Sequence, residues 1–198
     1  MDEKNRADRE KMIAVFLDWN SKINLSAIRD ADGVREKHIL DSLELTNIID
    51  IDDWLEALDL WTWGGFPLLP LAAMHPKVSR TGIDARKKKV DVVNAMITEL
   101  WLINAQAIRW RVEEHKKQYD LITTRAVAYA DQLLSRSLPR LRVGWLLAMY
   151  KMFTSEEDET ILSLMRYHKL KPIALHHYRL EHDLPEVQRV LYVLMKTK

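Results

Sequence analysis

The chain has 198 residues, with 30 Lys and Arg against 29 Asp and Glu, 7 His and no Cys. That length suits one folded unit with a sizeable core, and a net charge of +1 gives no global field toward nucleic acid or membrane, so any polyanion must be held by local basic groups. The absence of cysteine excludes disulfides, thiolate metal sites and every mechanism with a cysteine nucleophile, and it fits a reducing compartment.

Met1 to Lys11 is crowded with charge and has no apolar core, so it does not read as a secretory signal and a cytoplasmic location is expected. Met12, Val15, Phe16, Trp19 and Ile23 recur at helical spacing and predict an amphipathic helix over residues 3–22. Asp30 is placed as an N-cap, and Val34, Ile39, Leu43 and Ile48 extend the period into a second long helix over 34–49. Residues 1–55 are thus expected to form a helical cap on a core spanning 56–198. From Glu56 short apolar runs alternate with helical patterns, as in a parallel sheet with crossover helices. Strands are predicted at 57–60, 78–83, 106–109, 119–123 and 146–150, and helices near 67–75, 86–101, 130–138 and 155–168. The most apolar stretch, 57–74, contains Asp59, Pro67 and Pro70, which suits buried strand, turn and helix rather than a membrane span. Ile173 to Arg179 and Val187 to Leu194 flank a turn with Asp183 and Pro185 and predict an antiparallel hairpin. The fold class is α/β, Rossmann-like: a mostly parallel sheet with a C-terminal antiparallel hairpin and an N-terminal helical cap, the order expected of a methyltransferase.

Ala57-Leu58-Asp59-Leu60 and the following Trp61-Thr62-Trp63-Gly64-Gly65-Phe66-Pro67 stand past the carboxyl end of the first strand, where open α/β sheets hold nucleotides. On Gly64-Gly65 alone, an ordinary strand-to-helix turn is an equal reading. Asp84 ends the second strand, where a carboxylate can accept from both ribose hydroxyls or cap the helix at Arg86. Arg86 to Lys89, and Arg136, Arg140 and Arg142, are basic groups that either meet RNA or form solvated helix faces.

Six segments in order resemble the ribosomal RNA small-subunit methyltransferase G proteins, also called glucose-inhibited division protein B. They are Trp19-Asn20-Ser21-Lys22-Ile23-Asn24-Leu25-Ser26, Lys37-His38-Ile39-Leu40-Asp41-Ser42, Leu58-Asp59 with Gly64-Gly65-Phe66-Pro67, Arg111-Val112-Glu113-Glu114, Thr124-Arg125-Ala126 and Ala148-Met149-Tyr150-Lys151. The resemblance covers most of the chain and implies methyl transfer from S-adenosylmethionine to N7 of a guanine in small-subunit (16S) ribosomal RNA. It implies that Asp59, Trp61, Trp63, Gly64, Gly65 and Phe66 face the cofactor, that Asp84 lies near its ribose, and that Val112 and Glu113 flank its adenine. Arg125 matches an arginine shared by cofactor and substrate, and Arg111 and Lys151 match basic positions expected to hold RNA phosphate or the target base. Asn24, His38, Asp41 and Ser42 are implied to face the cleft from the cap and to meet RNA, where Arg86 and Lys88 of the basic run are expected, on charge alone, to join them; for His38 and Ser42, capping or surface hydrogen bonds are the alternative. Guanine N7 carries a lone pair and no proton, so its methylation needs neither a general base nor a metal, and positioning is most of the task. The expected partner is small-subunit ribosomal RNA or the ribosomal subunit, with no membrane, and the chain is expected to be a monomer. A non-catalytic RNA-binding or ribosome-binding protein on this scaffold is the competing class; a nicotinamide-dependent oxidoreductase fits the glycine pattern less well.

This copy departs from the family at its glycines. It has 5 Gly and 7 Trp, where average usage predicts about 14 Gly. Trp61, Trp63, Trp101, Trp110 and Trp145 stand at family glycine positions, as do Leu68 and Met152. Glycine serves such loops through φ > 0 and close ligand approach, and tryptophan supplies neither. The indoles of Trp61 and Trp63 are expected either to fill the adenosyl pocket or to turn outward and stack on cofactor or base; Trp101 and Trp145 are expected to burden a helix end and a turn.

Overall fold

The computed structural model describes residues 3–125 and 129–198, residues 3–5 by their backbone alone. Ala126, quoted above, lies outside the described residues. The first cap helix, α1 (Glu3–Ile23), forms as predicted. Asp30 caps α2 (Ala31–Val34), accepting from the Gly33 N–H at 2.7 Å. The expected single helix to residue 49 is instead broken: a π-helical turn, Arg35–Leu40, leads into α3 (Asp41–Leu43) and a 3₁₀ turn, Glu44–Asn47. A widened turn shifts the inward face by a residue, so Glu36 and Ile39 are buried together with Asp41, Ser42 and Leu43. Hydrophobic spacing could not distinguish this from a regular helix.

Beyond the cap, β1 (Glu56–Leu60), β2 (Ser79–Asp84), β3 (Ala105–Arg109), β4 (Tyr119–Arg125) and β5 (Leu141–Met152) pair in parallel. β6 (Leu170–Tyr178) and β7 (Arg189–Lys196) form the predicted hairpin, and β7 runs antiparallel to β5. The sheet order is β3-β2-β1-β4-β5-β7-β6. Chain direction across the sheet reverses at β1 and β4, which opens a crevice past their carboxyl ends. β5 starts earlier than expected because Gly144, at φ 86°, carries a shift of register against β4. Trp145 therefore lies inside a strand and not in a turn.

Registered residues of a parallel pair point to one face. Ala57, Leu121, Ala148 and Tyr150 pack under the cap, α4 (Leu68–Met74) and α5 (Lys87–Glu99). Leu58, Leu60, Ile122 and Leu147 pack under α6 (Ala130–Ser137) and α7 (Ser155–Tyr167). No helix among the described residues is long and apolar enough to cross a membrane.

Among the described residues, the non-glycine positions with left-handed φ include four tryptophans: Trp54 (70°), Trp61 (60°), Trp63 (45°) and Trp101 (59°). Trp110 and Trp145 are not among them, and Trp54 was not singled out by the resemblance. Trp101 follows the last turn of α5, where its N–H donates to the Thr98 carbonyl (3.1 Å) and the Leu102 N–H to that of Ile97 (3.0 Å). Those two bonds make the Schellman ending that glycine usually completes. Each such tryptophan carries about 1–2 kcal/mol of backbone strain.

Candidate functional site

The loop after β1 folds back over β2, with the Thr62 N–H donating to the Ile83 carbonyl at 3.1 Å. Gly65, at φ 92°, is required by its surroundings, since a Cβ there would lie 2.5 Å from Leu69 Cδ1. The flanking tryptophans diverge. Trp61 packs onto the apolar cluster that contains Leu60, Ile83, Val112 and Leu133. Over its ring, 5.7 Å from the centroid, lies the Arg136 guanidinium, whose Nε is 2.8 Å from the Glu113 carboxylate. Trp63 is half exposed and carries Lys89 Nζ 4.1 Å from its ring centroid.

Between loop and cap is a cavity of about 420 Å³. The cap contributes Phe16, His38 and the run Asn24 to Ala27; the sheet side contributes Trp61, Trp63, Gly64, Phe66 and Arg125. His38 stacks on Phe66 with centroids 4.7 Å apart, and Phe16 meets both rings edge-on. The Nε2 atom of His38 is 3.0 Å from the Ser26 hydroxyl. Burial, reinforced by the Arg125 charge, pushes the imidazole down to about 3, so it is neutral.

Arg125 is fixed at the end of β4. Its Nε lies 2.6 Å from the buried Asp41 carboxylate, and it also donates to the Lys37 carbonyl. Asp41 in turn accepts from the Tyr178 hydroxyl at 2.7 Å and pairs with Arg189 at 3.4 Å, and Arg189 grips Asp183 at 2.7 Å. Ser42 is buried; its hydroxyl donates to the His38 carbonyl, and its own carbonyl accepts from the Tyr150 hydroxyl at 2.7 Å. Asn24 stands exposed at the cavity mouth with φ 52°.

The remaining predicted residues are not gathered at the cavity. Asp84 stands on the same carboxyl rim as Arg125; its carboxylate accepts from the Arg86 N–H at 2.8 Å in a local turn, while the N-cap of α5 is Arg86 itself, without a side-chain bond, so Asp84 does not cap the helix. Val112 is buried and Glu113 exposed in the 3₁₀ turn after β3. Arg111 is exposed ahead of that turn, while Lys151 in β5 is nearly buried and donates to Glu157 at 2.7 Å. Arg86 and Lys88 are exposed at the start of α5, and neighbouring Lys87 pairs with Asp91 at 2.7 Å. Glu36, Glu181 and His182 have ligand atoms within 4.8 Å of one another, but none lines the cavity and Glu36 is already engaged by His182.

Sequence reasoning missed several residues. Phe16 was read only as part of an apolar stripe, although it also forms a cavity wall. Asn20 is buried and shapes the 24–28 loop, donating to the Ser26 (3.1 Å) and Ile28 (2.7 Å) carbonyls and accepting from the Ser26 N–H (2.8 Å). A polar residue on the inner side of a helix just ahead of a loop was the available signal. The roles of Tyr178 and Arg189 depend on long-range contacts and left none, and Arg136, expected to meet RNA or solvent, instead lies over Trp61 and pairs with Glu113.

Asp59 ends up beneath the loop, buried, accepting from the Thr123 hydroxyl at 3.1 Å. Burial pushes its carboxyl up to about 7, against the opposing effect of its hydroxyl partners and Arg80. A carboxyl whose folded pKa is raised holds a proton that the unfolded chain has lost, so its contribution to stability falls as pH rises from about 4 to 7. Asp59→Asn removes that term. The stability difference, variant minus parent, is therefore expected to grow by about 1.4 kcal/mol per pH unit in that window and level off above it. Urea unfolding across the range checks this; a constant difference would show that Asp59 ionises normally.

A parallel sheet of this order, with its crevice at the reversal and a closing antiparallel hairpin, defines a Rossmann-like S-adenosylmethionine-dependent methyltransferase. Solved structures share the fold: a ribosomal protein L11 methylase from Lactobacillus delbrueckii subsp. bulgaricus (TM-score 0.66, 8% identity, 82% of this chain and 79% of that one) and TYW2 of Pyrococcus horikoshii in complex with MeSAdo (0.64, 13%, 80% and 62%). The chain belongs to the rRNA small subunit methyltransferase G family, whose profile matches residues 6–183. Relatives named ribosomal RNA small subunit methyltransferase G include one from Thermoanaerobacter sp. (strain X514), 31% identical over 193 residues, spanning 91% of this chain and 80% of the relative. Another, from Christiangramia forsetii, is 32% identical over 196 residues, spanning 96% and 90%.

Proposed function

We propose that this chain is the scaffold of an enzyme that methylates N7 of a guanine in 16S ribosomal RNA, and that Trp61 and Trp63 impair uptake of the methyl donor in this copy. S-adenosylmethionine, when bound, supplies an activated methyl group. The family resemblance puts its adenosine half between the first-strand loop, Asp84 and Val112-Glu113. The residues present there do not fit it as they stand, and one observation carries this reading: the left-handed Trp61 turns its indole onto the cluster that includes Val112, beneath an Arg136 tied to Glu113.

The chemistry of the open cavity supports N7 as the target. Its polar side chains are holders: His38 is neutral and engaged by Ser26, and Arg125 is fixed by Asp41. A nucleophile that arrives with a lone pair and no proton needs only such holding. Trp61 packed on that cluster at the wall of an open cavity also favours a second reading, an RNA-binding protein that retains the scaffold without catalysis.

Methyl transfer to 16S ribosomal RNA, followed by borohydride and aniline cleavage at 7-methylguanine, tests the proposal. Cleavage at a guanine is expected with the W61G/W63G variant and far less with the parent chain. Methyl incorporation without cleavage would overturn the N7 assignment, and equal cleavage would overturn the impairment.

A further inference from the structure

We infer that the turn between β6 and β7 is a proton-operated clasp: His182, when protonated, holds the turn down on the cap, and its deprotonation lets the turn lift. The other half of the clasp is Glu36, whose side chain is only 10% exposed in the π-helical turn. Both of its carboxylate oxygens are held by one residue 146 positions away, Oε2 accepting from the His182 N–H at 3.3 Å and Oε1 lying 2.5 Å from the ring Nδ1. A carboxylate withdrawn that far from water depends on a partner charge more than one on the surface does. The imidazole itself is 69% exposed, so protons reach it freely.

The surroundings set the sign. Acting on the ring are Glu36, Glu181 beside it in the turn and Asp32 of α2, all acidic, and Asp32 is shared with Arg35, which also pairs with Glu10. Asp183, the next residue, is committed to Arg189 at 2.7 Å, with Lys37 acting on it from the cap. The bond to Glu36 and the negative charge around it therefore raise the imidazole above its ordinary value. A raised folded value gives a contribution that is complete below the unfolded value of about 6.5 and is lost as pH rises through the folded one. The same turn reaches the interior by a second grip, from Asp183 through Arg189 to Asp41, and Glu36 precedes Lys37, whose carbonyl accepts from Arg125. The clasp thus bears on that arginine from outside the cavity, and it does so whether or not the chain transfers methyl groups.

Nuclear magnetic resonance of the full chain tests the clasp. Titration of the His182 ring is expected to give a midpoint above about 6.5. Protection of the His182 N–H against hydrogen exchange, corrected for its intrinsic pH dependence, is expected to fall about two- to fivefold across that midpoint, as one such ion pair would give. In His182→Gln, which keeps a donor at the exposed position but cannot titrate, protection is expected to stay level over the same range. In Glu36→Gln the ring midpoint is expected to return to about 6.5. A parent midpoint at or below that value, protection that ignores the ring titration, or the same fall in H182Q would each overturn the inference. If E36Q does not fold, the parent chain and H182Q decide between them.

Discussion

The W61G/W63G variant is expected to bind S-adenosylmethionine about tenfold to a hundredfold more tightly than the parent chain. The estimate comes from what the parent must do first. Its Trp61 indole packs on the cluster of Leu60, Ile83 and Val112, and moving an apolar side chain of that size into water costs about 1.5–3 kcal/mol. At about 1.4 kcal/mol per factor of ten, that cost is one to two decades of affinity. Backbone strain of about 1–2 kcal/mol at each left-handed tryptophan is present with and without ligand. Its relief appears in stability, offset by the lost packing of Trp61, and not in affinity. Calorimetric titration of both proteins measures the difference, and equal micromolar affinities would sink the idea that the indole stands in the adenosine's place.

The second large effect is on stability. Asp41→Ala leaves Arg125 and the Tyr178 hydroxyl without their carboxylate, while Arg189 keeps Asp183. Both Asp41 and Arg125 are largely out of water, with side chains 2% and 14% exposed, so surface screening does not soften the loss. Breaking a buried pair from one side costs about 3–5 kcal/mol, which for a chain of this size lowers Tm on the order of 10 °C. Asp41→Asn, which keeps an acceptor for Tyr178, should fall between. Thermal and urea unfolding distinguish these outcomes; a loss under about 1 kcal/mol would show the pair behaving like an exposed bridge.

The sheet was legible because its strands are compact apolar runs and the terminal hairpin has two such runs flanking a turn with Asp183 and Pro185. The start of β5 was not, since Arg142, Val143 and Gly144 hide a strand that shifts register at a left-handed glycine. The cap helix was overestimated because the hydrophobic period cannot show a π-helical turn. In the site, the glycine-poor loop could be picked out from composition and resemblance together, and the left-handed φ of Trp61, Trp63 and Trp101 agrees with glycine's usual role there. Trp54 escaped because its conformation is set by a turn with no motif. Arg125 and His38 carried a local signature, whereas Arg136 over Trp61 and the hairpin groups around Asp41 are visible only once distant segments meet.

Asp41 draws on residues as far along the chain as Tyr178 and Arg189. A polypeptide emerging from the ribosome therefore presents the cap, the loop and Arg125 long before the groups that steady Asp41 have been made. The support around Asp41 is complete only once residue 189 has been made, so a shorter nascent fragment holds its arginine through an Asp41 that lacks one or both of those partners.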